Sequence, residues 1–301
     1  MREYAKYIIA GCLTLVIVLS AILFFASSYR QNQKNIDIEI YNLIPSDLEA
    51  LIAVNRPKSF ATVLNKDEAY RVAIGRFIPQ IYLEVMEKAT GMQVTLLSFH
   101  KESAILYAKV SPKQANQIEQ KIIKERYGMY APESYMDNEI QIMFYPVDNE
   151  NFIGFYYHQG VFVMSHSKKL LDNVAARQSG KSHTTFTELD SLRKGMDTKA
   201  LFNLMIPYAS LTPTSERNQS NDWVIGPGWG VADFFTNDFG QLCYYSTWSR
   251  QSDHDEVYYN QLAEVLSMFT NYMIPEIRTI NEITFDTGTN TVYLNGCIHP
   301  N

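Results

Sequence analysis

The sequence predicts an α+β protein: an N-terminal transmembrane helix followed by antiparallel β-sheets with helices on one face, in a unit that reads as duplicated. Three observations predict it. Between Lys6 and Arg30 there is no charged residue, and residues 7–26 read YIIAGCLTLVIVLSAILFFA. At about 1.5 Å of rise per residue, a helix of that length spans roughly 30 Å, the hydrocarbon thickness of a bilayer. The rest of the chain alternates short apolar runs with turn residues and is 13% aromatic with 20 Tyr, which suits half-buried strands. Finally, Ala50-Leu51-Ile52-Ala53-Val54-Asn55-Arg56-Pro57 shares Ala, Leu and Pro, at one spacing, with Ala200-Leu201-Phe202-Asn203-Leu204-Met205-Ile206-Pro207.

The first element is the anchor, residues 1–29. Tyr7, Ile8, Ile9, Leu13, Leu15, Val16, Ile17, Val18, Leu19, Ile22, Leu23, Phe24 and Phe25 are its expected membrane-spanning side chains. The apolar core is longer than that of a cleaved secretory signal. Ile9-Ala10-Gly11-Cys12 has the lettering of a lipidation box, but the apolar run lies mostly after Cys12, so Cys12 reads as one more apolar residue of the span. Arg2 and Lys6 precede the span and Arg30 and Lys34 follow it, a nearly balanced pair of flanks. A six-residue flank is easily left in the cytoplasm. The expectation is a single-pass inner-membrane protein, N-in, with its C-terminal domain in the periplasm.

Residues 30–36 are a short polar tether. The first α+β unit is expected over 37–198. Residues 36–40 alternate with period two and read as a strand, and 50–55 as a buried one closed by Pro57. Helices are expected over 58–64 and 77–90, the second ended by Gly91. Residues 94–99 and 104–110 form a hairpin. Ser111-Pro112 starts a helix that runs to about Tyr127, because Ser caps well and Pro suits the first helical position. Strands follow over 139–145, 152–157 and 161–165, and then a helix after Ser167 with Leu170, Leu171 and Val174 on one face.

The second unit, 199–301, is shorter. It has a strand over 200–206, strands over 229–235 and 240–248, a helix near 256–270, and a closing hairpin over 282–286 and 291–298. Matching the halves in order pairs 94–110 with 229–248, 112–127 with 256–270 and 139–157 with 282–298. About 265 residues outside the anchor suffice for a substantial core, and the expected architecture is two sheets with helices on one face of each.

Net charge is −6 and no basic block appears, which excludes nucleic acid as a natural partner. Cys243 and Cys297 lie outside the anchor in strand-like runs; in an oxidising space they are candidates for a disulfide, the other reading being two buried thiols. Ser165-His166-Ser167-Lys168 and Ser98-Phe99-His100-Lys101 both have Ser-x-x-Lys spacing, but no Lys-Thr-Gly follows and Ser167 reads as a helix cap. Asp253-His254-Asp255-Glu256 resembles a metal cluster, yet adjacent residues cannot all face one ion, and acidic residues suit the first turn of a helix. Gly226-Pro227-Gly228-Trp229-Gly230 leads into a strand, not into the helix start that a phosphate loop needs. Asp190-Ser191-Leu192 fits a short O-glycosylation pattern at a spacing chance supplies. No cofactor motif is present. A recognition surface, if there is one, is expected at Trp223 and Trp229, beside the long loop over 212–222.

Beyond its individual motifs, the chain resembles a family of singly anchored envelope proteins of Bacteroidetes-type bacteria that are grouped under a domain of unknown function. The likeness rests on the N-terminal anchor, Ile44-Pro45-Ser46-Asp47 before the 50–55 strand, and Gly160-Val161-Phe162-Val163-Met164-Ser165-His166-Ser167 before a Leu-rich helix, with Leu294-Asn295-Gly296 near the end. The resemblance implies a periplasm-facing location and supplies no reaction or catalytic residue. The expected function is therefore a non-enzymatic binding or scaffolding module, with the lipid bilayer as one partner and another envelope protein or a glycan as the second. A glycan-binding or adhesion domain is one alternative and a periplasmic hydrolase the other. The hydrolase requires two or more of His100, His158, His166, Asp253 and Glu256 to meet in one pocket.

Overall fold

The computed structural model describes residues 18–20, 39–73, 78–89, 91–101, 103–129, 131–137, 139–148, 151–180, 193, 195–207, 229–249, 278–286 and 291–299. The chain divides into two compact units, Met1–Glu39 and Ile40–Asn301. Of the expected membrane span only Val18, Leu19 and Ser20 are described; they are helical, with Val18 and Leu19 about half exposed. No helix among the described residues is long and apolar enough to cross a membrane, and the expected span lies almost wholly outside them.

Among its described residues, Ile40–Asn301 is built on one antiparallel sheet of twelve strands rather than the two sheets expected. Its strands are β1 (Ala50–Val54), β2 (Thr95–His100), β3 (Ser103–Lys109), β4 (Glu133–Asp137), β5 (Ile140–Pro146), β6 (Phe152–His158), β7 (Val161–Ser165), β8 (Phe202–Pro207), β9 (Trp229–Thr236), β10 (Leu242–Ser249), β11 (Arg278–Asp286) and β12 (Thr291–His299). Their order across the sheet is β11-β12-β10-β9-β8-β1-β2-β3-β7-β6-β5-β4. The halves expected to be separate join where β1 pairs with β8.

One expectation fails near the start, and one strand further along was not expected. Ile40–Leu43 is a 3-10 turn with Ile40, Tyr41 and Leu43 buried, not the end of a strand. β4 is a strand that period-two patterning misses, because its edge position leaves most of its side chains in water.

Helices lie on both faces of the sheet, against the expectation of one. The reason is that strands in the middle of a wide sheet are apolar on both sides. On the first face pack α1 (Pro57–Lys66), α2 (Glu68–Ala73) and α3 (Gln80–Lys88), with α4 (Pro112–Ile118), which passes through a wide π-type turn (Glu119–Ile123) into α5 (Lys124–Tyr127). Phe60, Leu64, Tyr82, Met86 and Ile118 from these helices share one core with Val54, Leu97, Leu106, Phe162 and Met164. That core crosses the join: Phe60 meets Phe202 edge-on at 5.0 Å, and Phe202 stacks on Phe234 at 4.3 Å. Tyr70 of α2 reaches further still, its hydroxyl accepting from the Leu242 N–H at 3.0 Å.

The second face of the first half is covered by α6 (Lys168–Gln178), which buries Leu170, Leu171, Val174 and Ala175, and by the stretch from Ile40 to Leu48. Ser167 caps α6 by accepting from the Leu170 N–H. Leu171 seats on Gly154, where an added Cβ would come within 2.5 Å of its methyl and 2.4 Å of the Phe144 ring.

The pairing at the join is symmetrical. Ala53 faces Asn203, Ile52 faces Leu204, and Val54 faces Phe202. Exchanging β1 with β8 about the Ala53–Asn203 pair carries Ile52 onto Phe202, the same shift that carries Ala50 onto Ala200 in the sequence. The match continues outward. Leu96 and Asp233 occupy equivalent positions on β2 and β9, Tyr107 and Tyr245 on β3 and β10, Val163 and Asn295 on β7 and β12, Tyr156 and Glu282 on β6 and β11. Thus β11–β12 holds the position of β6–β7, one strand later in the chain than the β5–β6 pair over 139–157 with which sequence order matched it.

Candidate functional site

Strand alternation puts Ser98 and His100 on the second face of β2. Ser98 Oγ lies 3.0 Å from His100 Nε2, and His100 Nδ1 lies 3.2 Å from both the carbonyl oxygen and Oδ1 of Asp47. Both neighbours of Nδ1 only accept, so in the neutral ring Nδ1 carries the proton and Nε2 accepts from Ser98. Tyr107, whose phenol oxygen is 3.3 Å from Ser98 Oγ, then donates to Ser98. The order Tyr107, Ser98, His100, Asp47 is a continuous relay. Burial holds the imidazole below the usual histidine range; the Asp47 and Glu49 carboxylates oppose it without prevailing. Burial likewise raises the Tyr107 phenol far above its ordinary value.

Ser, His and Asp in this order are the elements of nucleophilic acyl transfer. An enzyme site of this kind also needs access to the serine oxygen. Ser98 is 0% exposed and lies on the sheet face covered by the 40–48 stretch and α6, so its oxygen is shielded from solvent. The same bonds tie Asp47, three residues before β1, to the sheet. Sequence reading singled out Ser98 and His100 for the wrong spacing: Lys101 plays no part in the relay, and Asp47, 53 residues upstream, does.

The other expected site residues scatter. His166 stacks against Tyr82 on the first face while its Nδ1 donates to the Phe152 carbonyl at 3.0 Å, so it points away from His100. Ser165 donates to the Ala104 carbonyl at 2.9 Å, and Lys168 sits 4.4 Å above the Tyr135 ring, so the Ser-x-x-Lys spacing makes no dyad. His158 is half-buried at the end of β6. Among the described residues no group of three metal-ligating side chains converges. Trp223, His183, His254, Asp253, Asp255 and Glu256 lie outside the described residues; Trp229 is placed as the first residue of β9.

A second polar network marks the join. Asn55 donates to Asn203 Oδ1 at 2.7 Å, Asn203 donates to Asp233 at 2.5 Å, and Asp233 accepts from the Asp197 N–H. Burial raises the Asp233 carboxyl above its ordinary value, and its hydrogen bonds from Asn203 and the Asp197 N–H oppose this without prevailing. Every member serves another member, which is a fastening pattern.

The second face of the second half is different in kind. Tyr245 is 62% exposed, and Phe235 meets its ring edge-on at 6.2 Å. Cys243 and Cys297 face each other across β10 and β12 and form a disulfide, both half-exposed. Asp233 and Asn295 flank Tyr245 on its two neighbouring strands. Among the described residues the exposed aromatics include Phe152, Phe239 and Tyr245, the last on this face, and none is a residue named for a recognition surface. Alternation along β10 was the signal that would have found Tyr245. Comparison of the chain with protein-family models, with curated proteins and with solved structures finds no match.

Proposed function

We propose that this chain is an exported envelope protein, held to the inner membrane by one N-terminal helix, whose folded part binds another envelope component and catalyses no reaction. The observation that carries the reading is the Cys243–Cys297 disulfide, since disulfides persist in oxidising compartments and are rare in reducing ones. The uncharged stretch between Lys6 and Arg30 supports the anchor. We also read the folded part as a duplicated α+β unit. In support, the sequence shift and the β1–β8 register agree independently, and Asp47 and Asp197 fall on the same shift as Ala50 and Ala200.

The test is topology. Alkaline phosphatase fused after Asn301 is expected to be active, and a membrane-permeant thiol reagent is expected to label Cys243 and Cys297 only after reduction. An inactive fusion with freely labelled thiols overturns the reading.

The relay favours one competitor, a serine hydrolase. Stoichiometric labelling of the native chain by a fluorophosphonate, abolished in Ser98→Ala, would establish it. The burial of Ser98 leads us to expect no labelling.

A further inference from the structure

The 40–48 stretch opens the folded unit, and in sequence it follows the tether. It covers the second face with five buried apolar side chains, Ile40, Tyr41, Leu43, Ile44 and Leu48. The Arg193 guanidinium lies 4.2 Å over the Tyr41 ring. Its backbone ties are sparse. Among the described residues, the Ile44 N–H bonds within the stretch, to the Tyr41 carbonyl, and the Glu49 N–H bonds the Phe99 carbonyl of β2 at 2.9 Å. The His100 side chain adds a tie, Nδ1 donating to Asp47 at 3.2 Å. Burying those side chains and ordering nine residues are opposing effects of similar size. A segment held this way sits at the low end of local stability, where one polar contact decides whether it stays down.

We propose that the 40–48 stretch is an acid-released strap, latched on the sheet by neutral His100 and let go when that ring takes a second proton. The inference rests on the anchored reading above and names how its reach is regulated. Geometry sets the direction of the switch. Nδ1 already holds its proton toward Asp47, so the second must go to Nε2, which faces the buried Ser98 hydroxyl and not water. Lifting the stretch lets water reach the ring. The groups that act on His100 are Asp47 and Glu49 from the stretch and Ser98 on its own strand; beyond Ser98 stands Tyr107 of β3, whose phenol feels Arg177 of α6. The two carboxylates favour a charged ring, and burial outweighs them. Asp47 is 70% exposed at its side chain, so it stands at the margin of the cover, where opening begins. Release adds nine residues to the link between anchor and sheet, about 30 Å when extended.

The experiment is hydrogen–deuterium exchange of the full chain in neutral-lipid nanodiscs, read by mass spectrometry at about pH 7.5 and about pH 5.5, on either side of the ordinary histidine value. Each rate is divided by the intrinsic amide rate at that pH. Peptides over 40–49 report the strap, and peptides over β2, β3 and β7 report the sheet. The strap is expected to exchange ahead of the sheet at both pH values and to lose protection by up to about tenfold at the lower one. The sheet peptides should stay unexchanged over the same time. His100→Gln keeps a donor for Asp47 but takes no proton, so its strap should be protected equally at the two pH values; protected sheet peptides verify that it folds. Strap protection that does not change with pH, a strap that exchanges no faster than the sheet, or a pH-dependent loss that persists in folded His100→Gln overturns the proposal. The first two outcomes need only the native chain. An inactive phosphatase fusion removes the anchored reading while exchange still reports the strap, so the two failures are distinguishable.

Discussion

His100 shows how one side chain sets a pH limit. Its imidazole is buried and neutral, and its folded pKa lies below the value of about 6.5 that it has unfolded. For a base with a depressed folded pKa, the unfolded state binds the proton first as pH falls. The stability it confers is therefore fully present above about pH 6.5 and is lost as pH drops from there through the folded value. Thermal unfolding of the native chain should show this loss between neutral and mildly acidic pH, and His100→Gln should show a shallower one. Identical slopes would sink the argument. Ser98→Ala removes one hydroxyl and strands two partners, His100 Nε2 and the Tyr107 phenol. A loss of about 1–3 kcal/mol is expected in denaturant titration. Neither consequence could be read from Ser98 and His100 in sequence alone, because their partners Tyr107 and Asp47 are brought in by the β2–β3 hairpin and by the chain preceding β1.

Among the elements, local chemistry was most legible where it is self-contained. Ser111 and Gln114 form a capping box at the start of α4, each side chain bonding the other's backbone N–H. Ser111→Ala should lower stability by about 1 kcal/mol, measured by the same titration. The hairpin between β6 and β7 was equally plain. Its turn residues Gln159 and Gly160 both take positive φ, as the tightest hairpins require. By contrast β4 was invisible, since Glu133-Ser134-Tyr135-Met136-Asp137 shows no alternation and its order comes from elsewhere. Tyr135 bonds Asp172 of α6 and stacks on Phe144 at 5.7 Å. The contact of α6 with Gly154 is similarly beyond sequence. Gly154→Ala should cost about 1–3 kcal/mol by forcing Leu171 and Phe144 apart, and a neutral result would show that α6 can shift at no cost.

At the scale of the whole molecule, the sequence suggested the repeat proposed above but not the single sheet. The recurrence of Ala, Leu and Pro pointed to two copies. That they share one sheet depends on β1 having two apolar faces and two open edges, which a linear pattern cannot distinguish from a strand at a sheet's margin. The candidate site suffered likewise. Cysteine spacing favoured two buried thiols over a bridge, and only the register of β10 with β12 sets Cys243 opposite Cys297. The bridge spans 54 residues of sequence, so its loss should lower stability by about 2–4 kcal/mol. The Cys243→Ser, Cys297→Ser double variant, compared with the native chain by thermal unfolding and far-ultraviolet circular dichroism, should unfold at lower temperature with its strand content unchanged. An unchanged unfolding temperature would mean that the β-ladder alone holds β10 to β12.

The pairing of β1 with β8 has a consequence for how the protein is made. β1 leaves the ribosome long before its partner, with some 150 residues of synthesis in between, and loops that long close slowly. β2 can shield one edge of the ALIAV strand early. The other edge waits, uncharged, without proline, and able to pair with any extended chain. The nascent first half is thus a sticky intermediate that needs either rapid elongation or a chaperone until residues 202–207 arrive to close it. A chain arrested before β8 should precipitate where the full-length protein stays dispersed, which makes the second half, whatever it binds, the guardian of the first.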